Sequence, residues 1–215
     1  MMRFVTIILI VCMAVSVNLF SGSTADFVLK VGNPAPSRML FNFNDVIQGT
    51  DDFRNGVKFK DFFGKKAVVL SFFTKTCVNC KFEIPELQKI MPSYTNKNVQ
   101  FFLILIKEAD DTIEDLAAEM EKREYTIPIL YHKFPDAILK PYLKNKKGAM
   151  NAVPLLYIID RNGYISYIKS GFNKDAAAAE IKKIKAQIDI ARKKPKRALP
   201  GKKPVKKAVK KTVKK

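Results

Sequence analysis

Short, strongly apolar runs alternate along the chain with segments in which apolar residues recur every three or four positions. Residues 67–73 form a strongly apolar run, rich in β-branched and aromatic residues, which predicts a buried strand. Residues 98–106 and 153–160 are two further runs of this kind. Strands separated by helical patterns predict an α/β domain, in which helices flank a central sheet.

A helical pattern begins directly after Cys80. Apolar residues fall near one helical face and charged residues lie between them: Phe82, Leu87, Ile90 and Met91 on the face, with Glu83, Glu86 and Lys89 between. Residues 111–124 and 135–143 also show a helical pattern. Residues 174–191 form the last such segment, which Asn173 is placed to cap.

Several shorter segments are predicted to be extended. Residues 31–36 contain two prolines and are predicted to form a stiff entry segment. Residues 41–43 predict a short strand, and residues 57–63 predict another short element. Residues 127–131 contain Pro128, which predicts an edge strand because proline cannot donate to a sheet ladder.

The Asn162-Gly163 dipeptide predicts a tight turn. This turn would join the run of residues 153–160 to residues 164–169 as a hairpin. After the N-terminal extension, the predicted element order is β-α-β-α-β-β-α. Strands separated by helices and closed by a hairpin predict a mixed sheet.

Two cysteines, Cys77 and Cys80, lie where the predicted strand of residues 67–73 ends and the first helix begins. The free N–H groups and the partial positive charge at a helix N-terminus stabilise a thiolate. The second cysteine is one helical turn further on and can attack a mixed disulfide formed by the first. We therefore predict a catalytic dithiol, with Cys77 as the exposed nucleophile and Cys80 as the more buried resolving thiol.

A zinc site is the alternative for this cysteine pair. Structural zinc needs four ligands, mostly Cys and His, and the chain offers only Cys12 and His132 besides. Cys12 falls in a predicted export signal, and removal of that signal would leave one redox pair. His132 is far from the pair in sequence and is predicted to be a surface or structural residue. We therefore expect no metal and no other cofactor.

Residues 1–25 have the pattern of an export signal. Arg3 precedes an almost entirely apolar stretch, and Ser23 and Ala25 are small residues at cleavage-site spacing. An uncleaved membrane anchor is the alternative. Both interpretations place the domain of residues 26–191 outside the cytoplasm, in a periplasm or an equivalent compartment.

The net charge of +19 is concentrated in a Lys-rich C-terminal tail. Residues 192–215 contribute +13 and Arg3 contributes +1, which leaves +5 for residues 26–191. The tail cannot bury a core and is predicted to be disordered. Its charge favours binding to an anionic lipid or polymer of the cell envelope. Its lack of aromatic residues argues against nucleic acid, and a solubilising extension without a partner is the alternative.

With these motifs the chain resembles the TlpA/ResA-like branch of the thioredoxin-fold thiol–disulfide oxidoreductases over residues 28–190. The matching pieces are residues 31–36 (Val-Gly-Asn-Pro-Ala-Pro), Cys77-Val-Asn-Cys80 with Lys81, Glu83 and Pro85, Val153-Pro154, residues 160–163 (Asp-Arg-Asn-Gly) and Gly171. The resemblance implies a thioredoxin-like fold, protein disulfides or thiols as substrates, and a thiol protein as electron donor. It favours action as a reductant, with cytochrome c maturation as one candidate process.

The resemblance also implies roles for individual residues. Pro154 is expected to be a cis-proline that faces the two cysteines, and Val153 is expected to present its backbone to substrate. Glu83 is expected to move protons to and from Cys80, with a solvated helix carboxylate as the alternative.

The chain departs from the family at two positions. Thr76 replaces the tryptophan that usually precedes the first cysteine, and it is either a donor to the Cys77 thiolate or a small loop residue. Ser71 stands where thioredoxin itself carries a buried acid. The resemblance further implies that residues 107–150 contain the family's inserted helix and strand.

Two other functions share this fold. A peroxiredoxin-like peroxidase is suggested by Thr74, three residues before Cys77, but Leu70 stands where that class has proline and Cys80 favours dithiol exchange. A binding or adaptor module tethered by the basic tail is the second alternative. Reversible dithiol oxidation with turnover would separate the enzyme from the adaptor.

Overall fold

The computed structural model describes residues 27–52, 54–145, 147 and 152–194. The predicted export signal with Cys12, the tail from residue 195 onward and most of the basic loop of residues 144–150 lie outside these residues. In the described part of the chain, no helix is both long enough and apolar enough to cross a membrane.

One mixed sheet runs through the described domain. Its strands are Met39–Asn42 (β1), Val57–Lys58 (β2), Ala67–Phe73 (β3), Val99–Leu105 (β4), Ile129–Tyr131 (β5), Leu155–Ile159 (β6) and Ile165–Ser170 (β7). Their order across the sheet is β2-β1-β5-β4-β3-β6-β7. β3 pairs in parallel with β4 and antiparallel with β6, and β6 and β7 form the predicted hairpin.

Five α-helices accompany the sheet in the described residues, together with three short 3-10 helices at Phe59–Phe62, Met91–Tyr94 and Lys174–Ala176. The α-helices are Phe43–Ile47 (α1), Cys80–Ile90 (α2), Ile113–Arg123 (α3), Pro135–Leu143 (α4) and Ala177–Lys193 (α5). Thr112 and Asp115 form a reciprocal capping box at the start of α3. The Asn173 side chain accepts a hydrogen bond from the Asp175 N–H at 3.0 Å, just ahead of α5, as its position predicts.

β3 is buried on both faces of the sheet, and all seven of its residues are at most 1% exposed. Val69 and Phe73 belong to the hydrophobic cluster that includes residues of α2 and α5. Leu70 and Phe72 belong to a second cluster, which includes Tyr142 of α4. Burial on both faces explains why apolar residues occupy both faces of this strand, with Ser71 as its one polar residue.

The prediction that residues 127–131 form an edge strand is wrong. β5 lies inside the sheet, between β1 and β4. Pro128 precedes the strand, so its missing N–H interrupts no ladder, and its carbonyl accepts a hydrogen bond from Leu103 at 2.9 Å. The short strand β1 pairs with β5 on the side away from β4. The sequence of β1 is too short and irregular to predict this pairing.

The predicted inner face of α2 is also partly wrong. Phe82 is 42% exposed, whereas Glu83 is fully buried. The buried face is formed by Cys80, Ile84 and Leu87, at positions i, i+4 and i+7 of the helix. The helix is therefore rotated so that the carboxylate of Glu83, and not the ring of Phe82, enters the domain.

The last helix extends beyond the domain boundary predicted at residue 191. α5 ends at Lys193, and Lys194 Nζ lies 2.9 Å from a carboxylate oxygen of Asp160. The first three residues of the predicted tail, 192–194, are therefore described together with the domain.

Candidate active site: a dithiol above a buried carboxylate

The two cysteines lie at the junction of β3 and α2, as predicted. Cys77 is in the loop that follows Phe73, and Cys80 is the first residue of α2. The two residues form a disulfide with an S–S distance of 1.95 Å. Cys77 is 7% exposed and Cys80 is 0% exposed, so the predicted order holds although Cys77 is less exposed than expected.

The helix N-terminus acts directly on the first sulfur. The backbone N–H of Cys80 donates a hydrogen bond to Cys77 Sγ at 3.2 Å. An N–H donor and the positive end of a helix both favour the thiolate over the thiol. Cys77 is thus the sulfur that receives this donor, while Cys80 is kept from solvent.

Glu83 lies one turn after Cys80 on the buried side of α2. Ser71 Oγ donates a hydrogen bond to Glu83 Oε2 at 2.9 Å, and Lys169 Nζ lies 3.7 Å from Oε1. Burial disfavours the carboxylate more strongly than Lys169 and Ser71 favour it, so the pKa of Glu83 is raised to about 7. The alternative of a solvated helix carboxylate is therefore wrong.

Lys169 on β7 brings a positive charge to this carboxylate from two strands away, because it pairs with Leu156 of β6, which in turn pairs with Ser71 of β3. Its side chain is 12% exposed, and its ammonium lies 2.8 Å from Glu180 Oε2 of α5. It also donates to the Gly171 carbonyl and lies 4.9 Å from the centroid of the Phe172 ring. Sequence reasoning missed Lys169 and Glu180, because nothing in their local pattern indicates which strand or helix approaches Glu83.

Pro154 follows a cis peptide bond after Val153, which confirms the predicted isomer. Leu155 pairs with Phe72, so one further step of the antiparallel register places Pro154 opposite Phe73, at the start of the cysteine loop. The Pro154 carbonyl accepts a hydrogen bond from Gly171 at 2.8 Å. The sheet register therefore brings the cis-proline and the dithiol to the same end of the domain.

Comparison with known proteins agrees with this geometry. The model of the AhpC/TSA family matches residues 31–168. A thiol-disulfide oxidoreductase ResA from Bacillus thuringiensis subsp. konkukian is 31% identical over 182 residues, which are 84% of this chain and 94% of the relative. A ResA from Oceanobacillus iheyensis is 25% identical over 167 residues, which are 77% and 79% of the two chains.

The chain belongs to the AhpC/TSA family. It is a ResA-like thiol–disulfide oxidoreductase, and the resemblance seen in its motifs is confirmed.

Two solved structures confirm the thioredoxin-like fold of this ResA-like enzyme. A thiol:disulfide interchange protein of the thioredoxin family from Chlorobium tepidum TLS superposes with a TM-score of 0.54 at 17% identity, over 76% of this chain and 98% of its own. A thiol:disulfide interchange protein from Bacteroides sp. superposes with a TM-score of 0.52 at 20% identity, over 73% and 91% of the two chains.

Thr76, the residue before Cys77 in this ResA-like enzyme, binds a carboxylate with its hydroxyl. Thr76 Oγ1 lies 3.0 and 2.8 Å from the two carboxylate oxygens of Glu108, to which it donates. The predicted hydrogen bond from Thr76 to Cys77 is therefore not the one formed in this structure. Glu108 itself was missed, because it lies 32 residues away in the sequence.

His132 directly follows the last residue of β5. Its Nδ1 accepts a hydrogen bond from the Phe134 N–H at 2.9 Å, and burial lowers its pKa. This contact fits the predicted structural role. Across the described residues, no group of three or more His, Cys, Asp or Glu side chains could hold a metal ion.

Proposed function

We propose that this ResA-like oxidoreductase reduces disulfides of exported proteins outside the cytoplasm. The observation that carries the proposal is the arrangement of three groups along α2. Cys77 is the more exposed sulfur and accepts an N–H bond, whereas Cys80 and Glu83 are fully buried one turn apart. This arrangement supports different roles for the two thiols and a role for the Glu83 carboxyl group beside the second.

The first step is attack by the Cys77 thiolate on one sulfur of a substrate disulfide. A bond forms between Cys77 Sγ and that sulfur, the substrate S–S bond breaks, and the other substrate sulfur leaves as a thiolate that takes a proton. The N–H of Cys80 and the helix N-terminus favour the attacking form of Cys77. The product is a mixed disulfide between Cys77 and the substrate.

The second step resolves this mixed disulfide. Cys80 loses its proton and attacks Cys77 Sγ, so that the Cys77–Cys80 bond forms and the second substrate sulfur leaves reduced. Two electrons have then passed from the dithiol to the substrate, and a thiol protein must return them. We assign the proton of Cys80 to Glu83, since a carboxyl with a pKa of about 7 populates both forms near neutrality.

Three residues are proposed to contact the substrate. Val153 and Pro154 lie at the end of the sheet where the cysteine loop begins, and an extended substrate segment there can pair with the Val153 backbone. Thr76 lies directly before Cys77 and is exposed. These contacts would place the substrate disulfide in line with Cys77 Sγ.

The roles of the two cysteines are tested by trapping. Cys80→Ser removes the resolving thiol and should accumulate mixed disulfides on Cys77 with exported thiol proteins. Cys77→Ser should form none, because its remaining thiol is fully buried. Non-reducing gels followed by mass spectrometry would identify the adducts. Equal adduct formation by both variants, or none by either, would contradict the assignment.

The extracytoplasmic location is a proposal that depends on the signal pattern in residues 1–25. Cell fractionation and N-terminal sequencing of the mature chain test it, with cleavage expected after Ala25. Recovery of the full-length chain from the cytoplasm would contradict it. The resemblance to ResA suggests cytochrome c maturation as one process outside the cytoplasm in which the enzyme acts. Loss of haem attachment to cytochrome c in a strain that lacks this enzyme would support that role.

The Lys-rich tail is proposed to attach the enzyme to an anionic surface of the cell envelope. Deletion should begin at residue 195, because α5 ends at Lys193 and Lys194 pairs with Asp160. The shortened chain should lose binding to anionic liposomes at low salt and keep its thiol chemistry. Unchanged liposome binding would contradict this proposal and leave the redox proposal intact.

A further inference from the structure

The loop that carries Cys77 is fastened to the segment that follows β4. The backbone of Phe73, the last residue of β3, accepts a hydrogen bond from Ile106 at 2.9 Å. After Phe73 the cysteine loop makes no further sheet pairing. Side chains from the segment after β4 contact the loop there. Lys75 and Thr76, directly before the nucleophile, receive these contacts.

Both the side chain and the backbone of Lys75 are bound by other residues. Its ammonium lies 2.6 Å from Asp111 Oδ1, in a pair whose side chains are 29% and 4% exposed. Its backbone carbonyl accepts a hydrogen bond from Arg123 Nη2. Fixing the carbonyl fixes the peptide plane between Lys75 and Thr76, and the ion pair fixes the position of the Lys75 side chain.

The two groups that hold Lys75 are themselves fixed. Asp111 Oδ2 accepts the backbone N–H of Glu108 at 2.9 Å, so one carboxylate connects Lys75 to the residue that binds Thr76. Arg123 is 8% exposed in its side chain, and its Nε donates to Glu119 at 2.9 Å. We call Glu108, Asp111 and Arg123 the clasp.

We propose that the clasp positions Cys77 for reaction by fixing Lys75 and Thr76, and that Asp111 and Arg123 are its positioning residues. The fixed loop keeps Cys77 Sγ within reach of the Cys80 N–H, at 3.2 Å in this structure. A loop released from the clasp would sample positions in which this bond is absent, and Cys77 would lose reactivity as a thiolate. This inference rests on the proposed dithiol exchange.

The chain offers a matched control for the Lys75 ion pair. Lys194 and Asp160 form a second lysine–carboxylate pair at 2.9 Å, with side chains that are 38% and 3% exposed. Asp160 follows β6, at the opposite end of the sheet from the cysteine loop. Lys75→Met and Lys194→Met therefore each remove one lysine–carboxylate ion pair. Only the pair of Lys75 includes a residue of the clasp, Asp111.

The experiment measures alkylation of Cys77 against pH in the reduced full-length chain, together with the Cys77–Cys80 reduction potential and the kcat and KM for a peptide disulfide. Lys75→Met should slow alkylation at pH 7 about tenfold and raise the pKa of the Cys77 thiol. Arg123→Met should act in the same direction, with Arg123→Lys recovering part of the rate. Lys194→Met should leave all four quantities unchanged while lowering thermal stability by a similar amount.

Two results separate the inference from the function on which it depends. If the wild-type chain forms no Cys77–Cys80 disulfide and shows no turnover, the proposed function fails. If the wild type turns over, but Lys75→Met and Lys194→Met show the same alkylation profile, the clasp has no positioning role. If Lys75→Met does not fold, Thr76→Val is the substitute, because it removes the contact to Glu108 without changing the net charge. Thr76→Val should slow alkylation of Cys77 about twofold. An unchanged alkylation rate in that variant would overturn the inference.

Discussion

Glu83 and Asp160 are buried acidic side chains at opposite ends of the central sheet, and they differ in the number of donors that hold them. Glu83 is 0% exposed and accepts from Ser71 on β3, near the cysteine loop. Asp160 is 2% exposed and follows β6, at the far end. Each has one lysine within 4 Å. Burial and a lysine partner are therefore common to both.

The number of fixed donors differs. Asp160 Oδ1 accepts the backbone N–H groups of Asn162 and Tyr164 at 2.9 and 3.1 Å, and Lys194 binds Oδ2 at 2.9 Å. Glu83 accepts one hydroxyl on Oε2, while Oε1 accepts no hydrogen bond from the described residues. Asp160 thus organises a turn through its fixed donors, whereas Glu83 has fewer donors and its burial raises its pKa to about 7.

The largest expected effect separates the two residues by activity. Glu83→Gln removes the proton acceptor proposed for Cys80 and should lower the rate of the resolving step about 10- to 100-fold at pH 7. Asp160→Asn is the matched amide substitution and should leave that rate within about twofold, since it lies at the other end of the sheet. Rapid-mixing measurements of mixed-disulfide decay would test both. Equal slowing by the two substitutions would remove the distinction.

The second effect concerns stability and should be larger at Asp160. Asp160→Ala leaves two turn N–H groups without their acceptor and Lys194 without its partner, which should cost about 3 kcal/mol of unfolding free energy. Glu83→Gln removes a poorly solvated carboxylate and should be neutral or stabilising at pH 8. Urea unfolding of both variants provides the comparison, and a larger loss in Glu83→Gln would contradict it.

The pH dependence of stability should come from Glu83. Its folded pKa of about 7 lies above the ordinary value, so the folded state holds a proton that the unfolded state has released between about pH 4.5 and 7. The contribution of Glu83 to the free energy of unfolding is thus greatest below pH 4.5 and is lost as pH rises through 7. The change is about 3 kcal/mol. Glu83→Gln should flatten this part of the stability–pH curve, and a wild-type curve without the decline would oppose the assigned pKa.

The smallest effect concerns the lysine partners. Lys169→Met removes the cation 3.7 Å from Glu83 and should raise the pKa of that carboxyl by about one unit. The apparent pKa of the resolving step should move to higher pH by the same amount, while Lys194→Met should not move it. A pH–rate profile that is unchanged in Lys169→Met would show that Lys169 serves packing and its pair with Glu180.

The central strands and the dithiol could be predicted because their signals are local. The run of residues 67–73 is apolar on both faces, and Cys77 and Cys80 mark the junction with the helix by their spacing alone. The cis-proline was found only through the family resemblance, since the residues around Pro154 do not themselves require that isomer.

The surroundings of Glu83 could not be predicted, because they depend on contacts between distant segments. Ser71 lies on β3, Lys169 on β7 and Glu180 on α5, and only the sheet order brings them together. The rotation of α2 that buries Glu83 is set by packing of Ile84 and Leu87 against the sheet, which the weak apolar pattern of the helix did not specify.

The most direct test of the account is a redox titration of the full-length chain across defined dithiol buffers, read by alkylation of Cys77 and Cys80. We expect one two-electron transition with a midpoint near that of thioredoxin, about −270 mV, as suits a reductant. A midpoint near that of DsbA, about −120 mV, would make the enzyme an oxidant and contradict the proposed direction. Absence of the disulfide at every potential would contradict the dithiol mechanism itself.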